Sequence, residues 1–472
     1  MEIQFHGYPV EIFYSAAIIG LVLVIFRPRW AFLFIVFCLA IRHYKLSVFT
    51  RTPFFGEFLN LNDLFLWIGF LAMVRTTFHD QKIWIPNILL AIICINLLGD
   101  FQVLALYGFD HKVMQSCWGS WVFPILFATA VNMVRNENDA RYFFWALFLG
   151  SLGAALQHMF FIQGRMSEMI VIEAFSTQGG IRTIAFMGSG GIFLLISALF
   201  LDIWKILKKF YLLIFWIMSL PFIAMSYILS FTRTVWLGAA LAVVAITVLL
   251  FRERRKMLTR FGYALVLIII MYFGFHVTEH FFLSGVDVSQ LIDQRADFIR
   301  YEDTFENAYQ TRETGMDTEL NLWQNGSIIW GVGSSYPPSL IESSLSSIEE
   351  TGALGHVAFS TYLAHFGLIG LFTYGLLLPF LTIKIAWKYH LRHKTNYSEV
   401  IAITGMALAF FDIFTLLSSN QYIAPNGHVQ ALIYGALWGV CGPQAVNSVR
   451  SLASRIMTQA PMVSGTGRPT GR

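Results

Sequence analysis

The sequence predicts an all-α polytopic integral membrane protein, and three observations carry that prediction. Hydrophobic residues make up 56% of the chain and charged residues 13%, against about 25% charged in soluble domains. Apolar segments of about 20 residues, the length a helix needs to cross the hydrocarbon, recur along the chain. The period-two alternation of an outer-membrane barrel strand is absent from them. The net charge of +4 is modest, and no nucleic-acid partner is expected from it.

Taken in order, spans are expected at 9–26, 30–42, 61–77, 83–106, 117–134, 141–162, 184–204, 211–231, 234–251, 262–282, 357–387, 400–418 and 428–446. That makes about 12–13 transmembrane helices. The second is short, and a re-entrant segment is its alternative. Arg27 and Arg29; Lys205, Lys208 and Lys209; Arg252, Arg254, Arg255, Lys256 and Arg260; and Lys388, Arg392 and Lys394 fall in alternating loops. Lys/Arg bias places those loops in the cytoplasm. The stretch Arg42 to Arg51 departs from the pattern. The N-terminus is then outside, and the C-terminus, with Arg450 and Arg455, inside. No Lys or Arg precedes Arg27, so the first span is expected to be retained rather than cleaved as a signal peptide.

The chain divides into four parts: an N-terminal bundle of about ten spans over 1–282, one large outer loop over 283–355, a C-terminal bundle of three spans over 356–447, and a tail over 448–472 read as disordered. The loop is acidic (Asp287, Asp293, Asp297, Glu302, Asp303, Glu306, Glu313, Asp317, Glu319), with Arg295, Arg300 and Arg312 against that background. Leu320, Trp323, Ile328, Ile329 and Trp330 predict that it is partly helical and packed. The 4 cysteines lie in or beside spans at unpaired spacings. They read as packing residues, not as a disulfide framework or metal site.

Arg233 lies in a very short turn at the outer end of a span. A guanidinium at head-group level offers a bidentate fork to a lipid-linked phosphate; a snorkelling helix anchor is the alternative. His356, where the outer loop enters the eleventh span, is suited to taking a proton near neutral pH; a helix-capping His is its alternative. At about 100° per residue, a continuous helix puts Gly367 about 20° and Gly370 about 40° from His356, on one face, and His365 about 180° away. The two glycines would form a smooth groove for a helix or a polyprenyl chain, or an ordinary helix contact. His365 is read as a packing residue or one supporting the site. Arg312 precedes Gly331-Val332-Gly333, a turn expected to bring the chain back toward the membrane; a salt bridge within the acidic loop is its alternative. Asp-x-Asp, the phosphate loop and a calcium loop are absent. No metal or other cofactor is expected.

In combination these residues resemble the O-antigen ligase and O-antigen polymerase superfamily of bacterial multi-span, GT-C-like glycosyltransferases. The ligase signature is His, a polar residue, nine residues, Gly, two residues, and Gly, Thr or Tyr. Here it is matched by His356, Val357, Ala358 to Phe366, Gly367, Leu368, Ile369 and Gly370, with Val357 in place of the polar residue. Thr232-Arg233 is similar to the family's Ser-Arg motif. Arg312, Trp323 and Gly331-Val332-Gly333 are similar to its Arg, aromatic helix and Gly-x-Gly. Arg182 before Gly188 to Gly191 is a weaker likeness. The resemblance covers about residues 225 to 380; upstream only the span layout agrees.

The resemblance implies metal-independent, inverting transfer of an undecaprenyl-diphosphate-linked glycan on the periplasmic face of the bacterial inner membrane. His356, Arg233 and Arg312 would be catalytic, and Arg182, Arg300, Gly367 and Gly370 would bind substrate. The expected partners are a glycan donor and acceptor, membrane lipid, and a chain-length regulator or export proteins. Val357 and the extra N-terminal span favour a repeat-unit polymerase of O-antigen or exopolysaccharide. A ligase delivering glycan to lipid A-core is the alternative. A lipid-glycan flippase is a more distant one, because it calls for charges lining a route through the spans.

Overall fold

The structure, a computed structural model, describes residues 10–41, 53–55, 59–80, 83–109, 111–166, 190–201, 203–228, 233–250, 302–337, 357–392, 396–416 and 427–442, with single positions between 269 and 280. The fold is that of an all-α polytopic membrane protein. Among the described residues, four helices are long and apolar enough to cross a membrane: Asn87–Tyr107, Phe210–Tyr227, Ala358–Leu391 and Tyr397–Thr415. Shorter apolar helices accompany them.

In chain order the helices are α1 (Val10–Phe26), α2 (Pro28–Ile41), α3 (Leu61–Asp80), α4 (Asn87–Tyr107), α5 (His111–Met133), α6 (Glu137–Met166), α7 (Gly191–Phe200), α8 (Ile203–Ile206), α9 (Phe210–Ile228), α10 (Arg233–Leu250), α11 (Glu302–Asn325), α12 (Ala358–Gly370), a π-helical segment (Leu371–Leu377), α13 (Leu378–Arg392), α14 (Tyr397–Thr415) and α15 over 427–442. A short antiparallel hairpin, Pro53–Phe55 with Leu59–Asn60, precedes α3. The segment expected to be short or re-entrant is the helix α2. It turns back from α1 at Arg27 and buries Ala31, Phe32, Ile35, Val36, Leu39 and Ala40 against neighbours that include α3 and α6. The expected span 262–282, apart from isolated positions, and the tail 448–472 lie outside the described residues.

Two helices are apolar nearly all round and sit at the centre. α14 is buried along almost its whole length and packs against α6, α7, α10 and α13. α15 is buried at every position and approaches α5 through Gly435 and Gly439. A Cβ at Gly435 would lie 2.6 Å from Phe127 O, and one at Gly439 2.7 Å from Val131 O. Two small residues four apart let backbones meet where lipid gives no hydrophobic drive to helix association.

Two of the turns grouped by their basic residues, those beside Arg29 and after Lys388, lie at one end of the bundle, together with the start of α6. Glu137, opening α6, accepts bonds from Tyr397 N (2.6 Å), Ser398 N (3.0 Å) and Ser398 Oγ (2.6 Å) at the start of α14. A carboxylate there is also favoured by the positive end of the helix dipole. Asn136 and Asp139 cap α6 reciprocally at 3.0 and 2.7 Å. Burial raises the Asp139 carboxyl, opposed by the bond from the Arg135 amide and by the charge of Arg29 in the α1–α2 turn. The Trp84 amide, before α4, donates to Asn132 of α5 at 2.9 Å. The His390 Nδ1 and Glu399 pair, at 2.7 Å, closes the α13–α14 turn.

Candidate functional site

The opposite end is organised by a break in a helix. α12 runs regularly from Ala358 to Phe366, then Gly367 takes φ 61, ψ −157. A continuous helix would aim Leu368 N at Ala364 O and Ile369 N at His365 O. Those two amides go instead to Ile328 O (3.0 Å) and Ile329 O (3.3 Å). The two carbonyls accept from Val332 N (2.7 Å) and Gly333 N (2.9 Å). The loop after α11 is thus inserted into the opened turn, and four bonds between loop and helix replace two helical ones.

Sequence explains why the insertion is possible. Gly331 (φ 71) and Gly367 both occupy the left-handed region, and they face each other. A Cβ on Gly331 would lie 2.6 Å from His365 C and 2.7 Å from Gly367 N. A Cβ on Gly367 would lie 2.6 Å from Trp330 N and closer still to the Ile329 carbonyl. Only glycine supplies both the φ value and the room. The loop itself closes as a tight turn, with Gly331 N donating to Ser327 O at 2.6 Å and Ser327 N to Gly331 O at 3.3 Å. Trp323 Nε1 donates to Ile328 O at 2.9 Å, and Gln102 Nε2 of α4 to Gly331 O at 2.8 Å.

Two carboxylates anchor the chain on the far side of this turn. Asp100 of α4 accepts from Trp121 Nε1 at 2.6 Å and from the Ser334 hydroxyl. Glu319, 1% exposed, accepts from the hydroxyls of Tyr336, Ser360 and Thr361, the last at 3.1 Å. It ties α11 to the loop and to the first turn of α12. His365 is buried, with Nδ1 3.0 Å from Gly333 O. A carbonyl only accepts, so Nδ1 carries the proton. Its ring packs edge-on against Tyr336 at 4.4 Å. Beyond the break, Tyr374 of the π-helical segment donates to Asn96 of α4 at 2.9 Å and stacks on Tyr362 and Phe366. Within long helices, π turns concentrate at functional positions.

His356, Arg182 and Arg300 lie outside the described residues. His356 directly precedes Val357, whose carbonyl accepts from Thr361 N (3.0 Å) and Thr361 Oγ1 (2.7 Å) in the first turn of α12. Arg233 is the first residue of α10. Five positions on, Gly238 meets Phe411 and Thr415 of α14, and the next residue, Leu416, accepts from Phe359 N of α12 at 2.9 Å. The starts of α10 and α12 therefore sit at the same end. Arg312 lies in α11, seven residues before Glu319, about 10 Å along the axis.

The expected single face of His356, Gly367 and Gly370 needs correction. α12 begins at Ala358, and the break at Gly367 ends its regular register. Gly370 is helical (φ −64) and lies over its own preceding turn, against Phe366 and 3.3 Å from Tyr362 O. Gly367 contacts the inserted loop instead of forming a groove. His365 packs and supports the loop, as expected of it.

Sequence reasoning passed over Asp100, Glu319 and Asp412. Asp412 is 3% exposed in α14 and accepts from Tyr434. For Asp100 and Asp412 the signal was present, since an acid within an apolar span is rare without a role. Among the described residues no group of three or more His, Cys, Asp or Glu side chains is placed to hold a metal ion. The cysteines among the described residues are free thiols. No protein-family model matches the chain, and no curated protein matches it.

Proposed function

We propose that this chain is an inverting, metal-independent glycosyltransferase of the bacterial inner membrane, a polymerase of undecaprenyl-diphosphate-linked repeat units acting on the periplasmic face. One observation supports this reading above the others. The start of α10, which carries Arg233, and the start of α12, next in sequence to His356, lie at one end of the bundle, and at that end the loop after α11, the helix of Arg312 and Glu319, is inserted into a broken helix.

In this mechanism the acceptor hydroxyl attacks the anomeric carbon of the donor as His356 takes its proton. The new glycosidic C–O bond forms as the bond to the diphosphate oxygen breaks, with inversion. The leaving undecaprenyl diphosphate carries away the electron pair. Arg233 and Arg312 neutralise its growing charge through bidentate contacts, the part a divalent ion plays elsewhere. The docked loop and its carboxylate anchors keep the α12 start rigid, so little reorganisation is needed when charge develops.

The test is transfer by purified protein from a defined undecaprenyl-diphosphate oligosaccharide, with and without chelator. Chelator-resistant elongation is expected, with a loss of about 10²–10⁴ in rate for His356→Ala. Normal polymer in cells carrying His356→Ala at wild-type protein level would sink the base assignment. In a deletion strain, single repeats on the acceptor are expected; long chains left on the carrier lipid would make the enzyme a ligase.

A further inference from the structure

The loop docked at Gly367 carries three consecutive large apolar residues at its tip, and all three are exposed: Ile328 57%, Ile329 52% and Trp330 43%. Turn tips facing water are normally polar, and such a run is an error in a soluble surface unless it has a use. The preceding helix obeys the ordinary rule, with Glu313, Asp317 and Gln324 exposed. The change in character falls at Ser327, where the chain meets the broken helix.

The tip does not stand alone. It is bonded to Leu368 and Ile369, and Leu368 begins an exposed stripe continuing through Phe372, Leu376 and Phe380 to Lys384 and Lys388. The apolar part is the face a span turns to lipid, and the lysines mark its far edge, where long cations reach the head groups. Leu368 to Lys384 spans about 24 Å along the helix, against roughly 30 Å of hydrocarbon. Leu368 and the tip beside it therefore lie near the opposite edge of the hydrocarbon. Trp is enriched at that level.

A non-helical segment tolerates lipid only if its backbone polar groups are satisfied within the protein. Seven of the ten backbone polar groups of residues 327–331 are paired in this way: Ser327 N and O, Ile328 O, Ile329 O, Trp330 N, and Gly331 N and O; the Ile328 and Ile329 amides and the Trp330 carbonyl are not among them. The apolar exposure and the largely paired backbone are independent features of the same few residues.

We propose that Ile328–Trp330 is a membrane-inserted wedge, seated among the acyl chains of the leaflet at this end of the bundle. It extends the lipid-facing surface of Leu368 and Phe372 and fixes the height of the site above the hydrocarbon. This inference rests on the membrane fold and not on the proposed chemistry, so failure of either leaves the other standing.

Spin labels test it in full-length protein reconstituted in lipid, with Cys38→Ala and Cys94→Ala removing the two cysteines that are not buried. Labels at Ile329→Cys and Trp330→Cys are compared with a lipid-facing reference, Phe372→Cys, and a water-facing one, Asp317→Cys. The ratio of collision rates with oxygen and with a water-soluble nickel chelate is expected to fall nearer the Phe372 value for both positions. Ratios nearer the Asp317 value at both would overturn the wedge. Two positions guard against one substitution disturbing the tip, and thermal melting of each labelled protein confirms the fold.

Discussion

Gly367→Ala is the sharpest perturbation of the docked loop. In the wild type, docking exchanges two helical bonds for four bonds to the loop. At about 0.5–1.5 kcal/mol net per bond, the two additional bonds favour the docked state by about 1–3 kcal/mol. Alanine at φ 61, ψ −157 carries strain of about 1–3 kcal/mol. Its Cβ also lands on the Ile329 carbonyl and 2.6 Å from Trp330 N, which side-chain rearrangement cannot relieve. The penalty matches or exceeds the bond advantage, so the docked-to-undocked ratio falls by about 5- to 150-fold, at 1.4 kcal/mol per decade.

Hydrogen exchange followed by mass spectrometry in lipid nanodiscs reads this out with a directional signature. Val332 and Gly333 amides lose their acceptors and exchange faster. Leu368 and Ile369 stay protected, because a straightened helix returns them to Ala364 O and His365 O. Gly69→Ala is the control, since a Cβ there finds only ordinary contacts, 3.6 Å from Ile35 and 3.8 Å from Thr129. It should leave exchange at Val332 unchanged. Wild-type protection at Val332 and Gly333 in Gly367→Ala, with unaltered melting, would refute the reasoning.

Other consequences are more local. Glu319→Ala removes an acceptor from three hydroxyls, but Ser360 and Thr361 also reach Val357 O, at 3.2 and 2.7 Å. Tyr336 bears most of the loss, so a cost of roughly 1–3 kcal/mol is expected in thermal melting, with Glu319→Gln milder. Glu137→Ala frees the start of α14 at the other end of the bundle. It should cost about 0.5–2 kcal/mol, the range for a lost cap, with faster exchange at Tyr397 and Ser398 and none at Val332. Arg233→Lys and Arg312→Lys should restore only part of the activity lost in the corresponding alanine variants, whose loss is about 10²–10³ in transfer rate. A point charge replaces a fork in each, and full rescue would reduce either arginine to charge compensation.

The span layout was legible because hydrophobic length is a local property. The expected 9–26 and 234–251 agree closely with Val10–Phe26 and Arg233–Leu250, and even the short second segment is a helix. Prolines did not mislead, since Pro124 and Pro221 lie inside helices. The return of Gly331-Val332-Gly333 toward the spans was legible from glycine's conformational freedom. The break at Gly367 was not. Its cause is a partner loop more than thirty residues upstream, and counting at 100° per residue presumes the continuity that this loop removes. Glu319 was equally obscured, for it stood among many acids in a segment read as packed through its apolar residues alone. Only packing of α11 on α12 distinguishes it from Asp317, two positions earlier and exposed.

The broken helix also constrains how the molecule is made. The segment Ile328–Gly333 leaves the ribosome before Gly367. Apolar helices enter lipid with their amides paired, because bare ones are too costly there. α12 must therefore either find the loop waiting as it leaves the translocon, or enter straight and open later, when the loop displaces two of its bonds. In both routes the loop finishes folding against a helix synthesised after it. Biogenesis of the C-terminal spans and maturation of the site are then one event, and a chain truncated before Gly367 has nowhere to dock its loop.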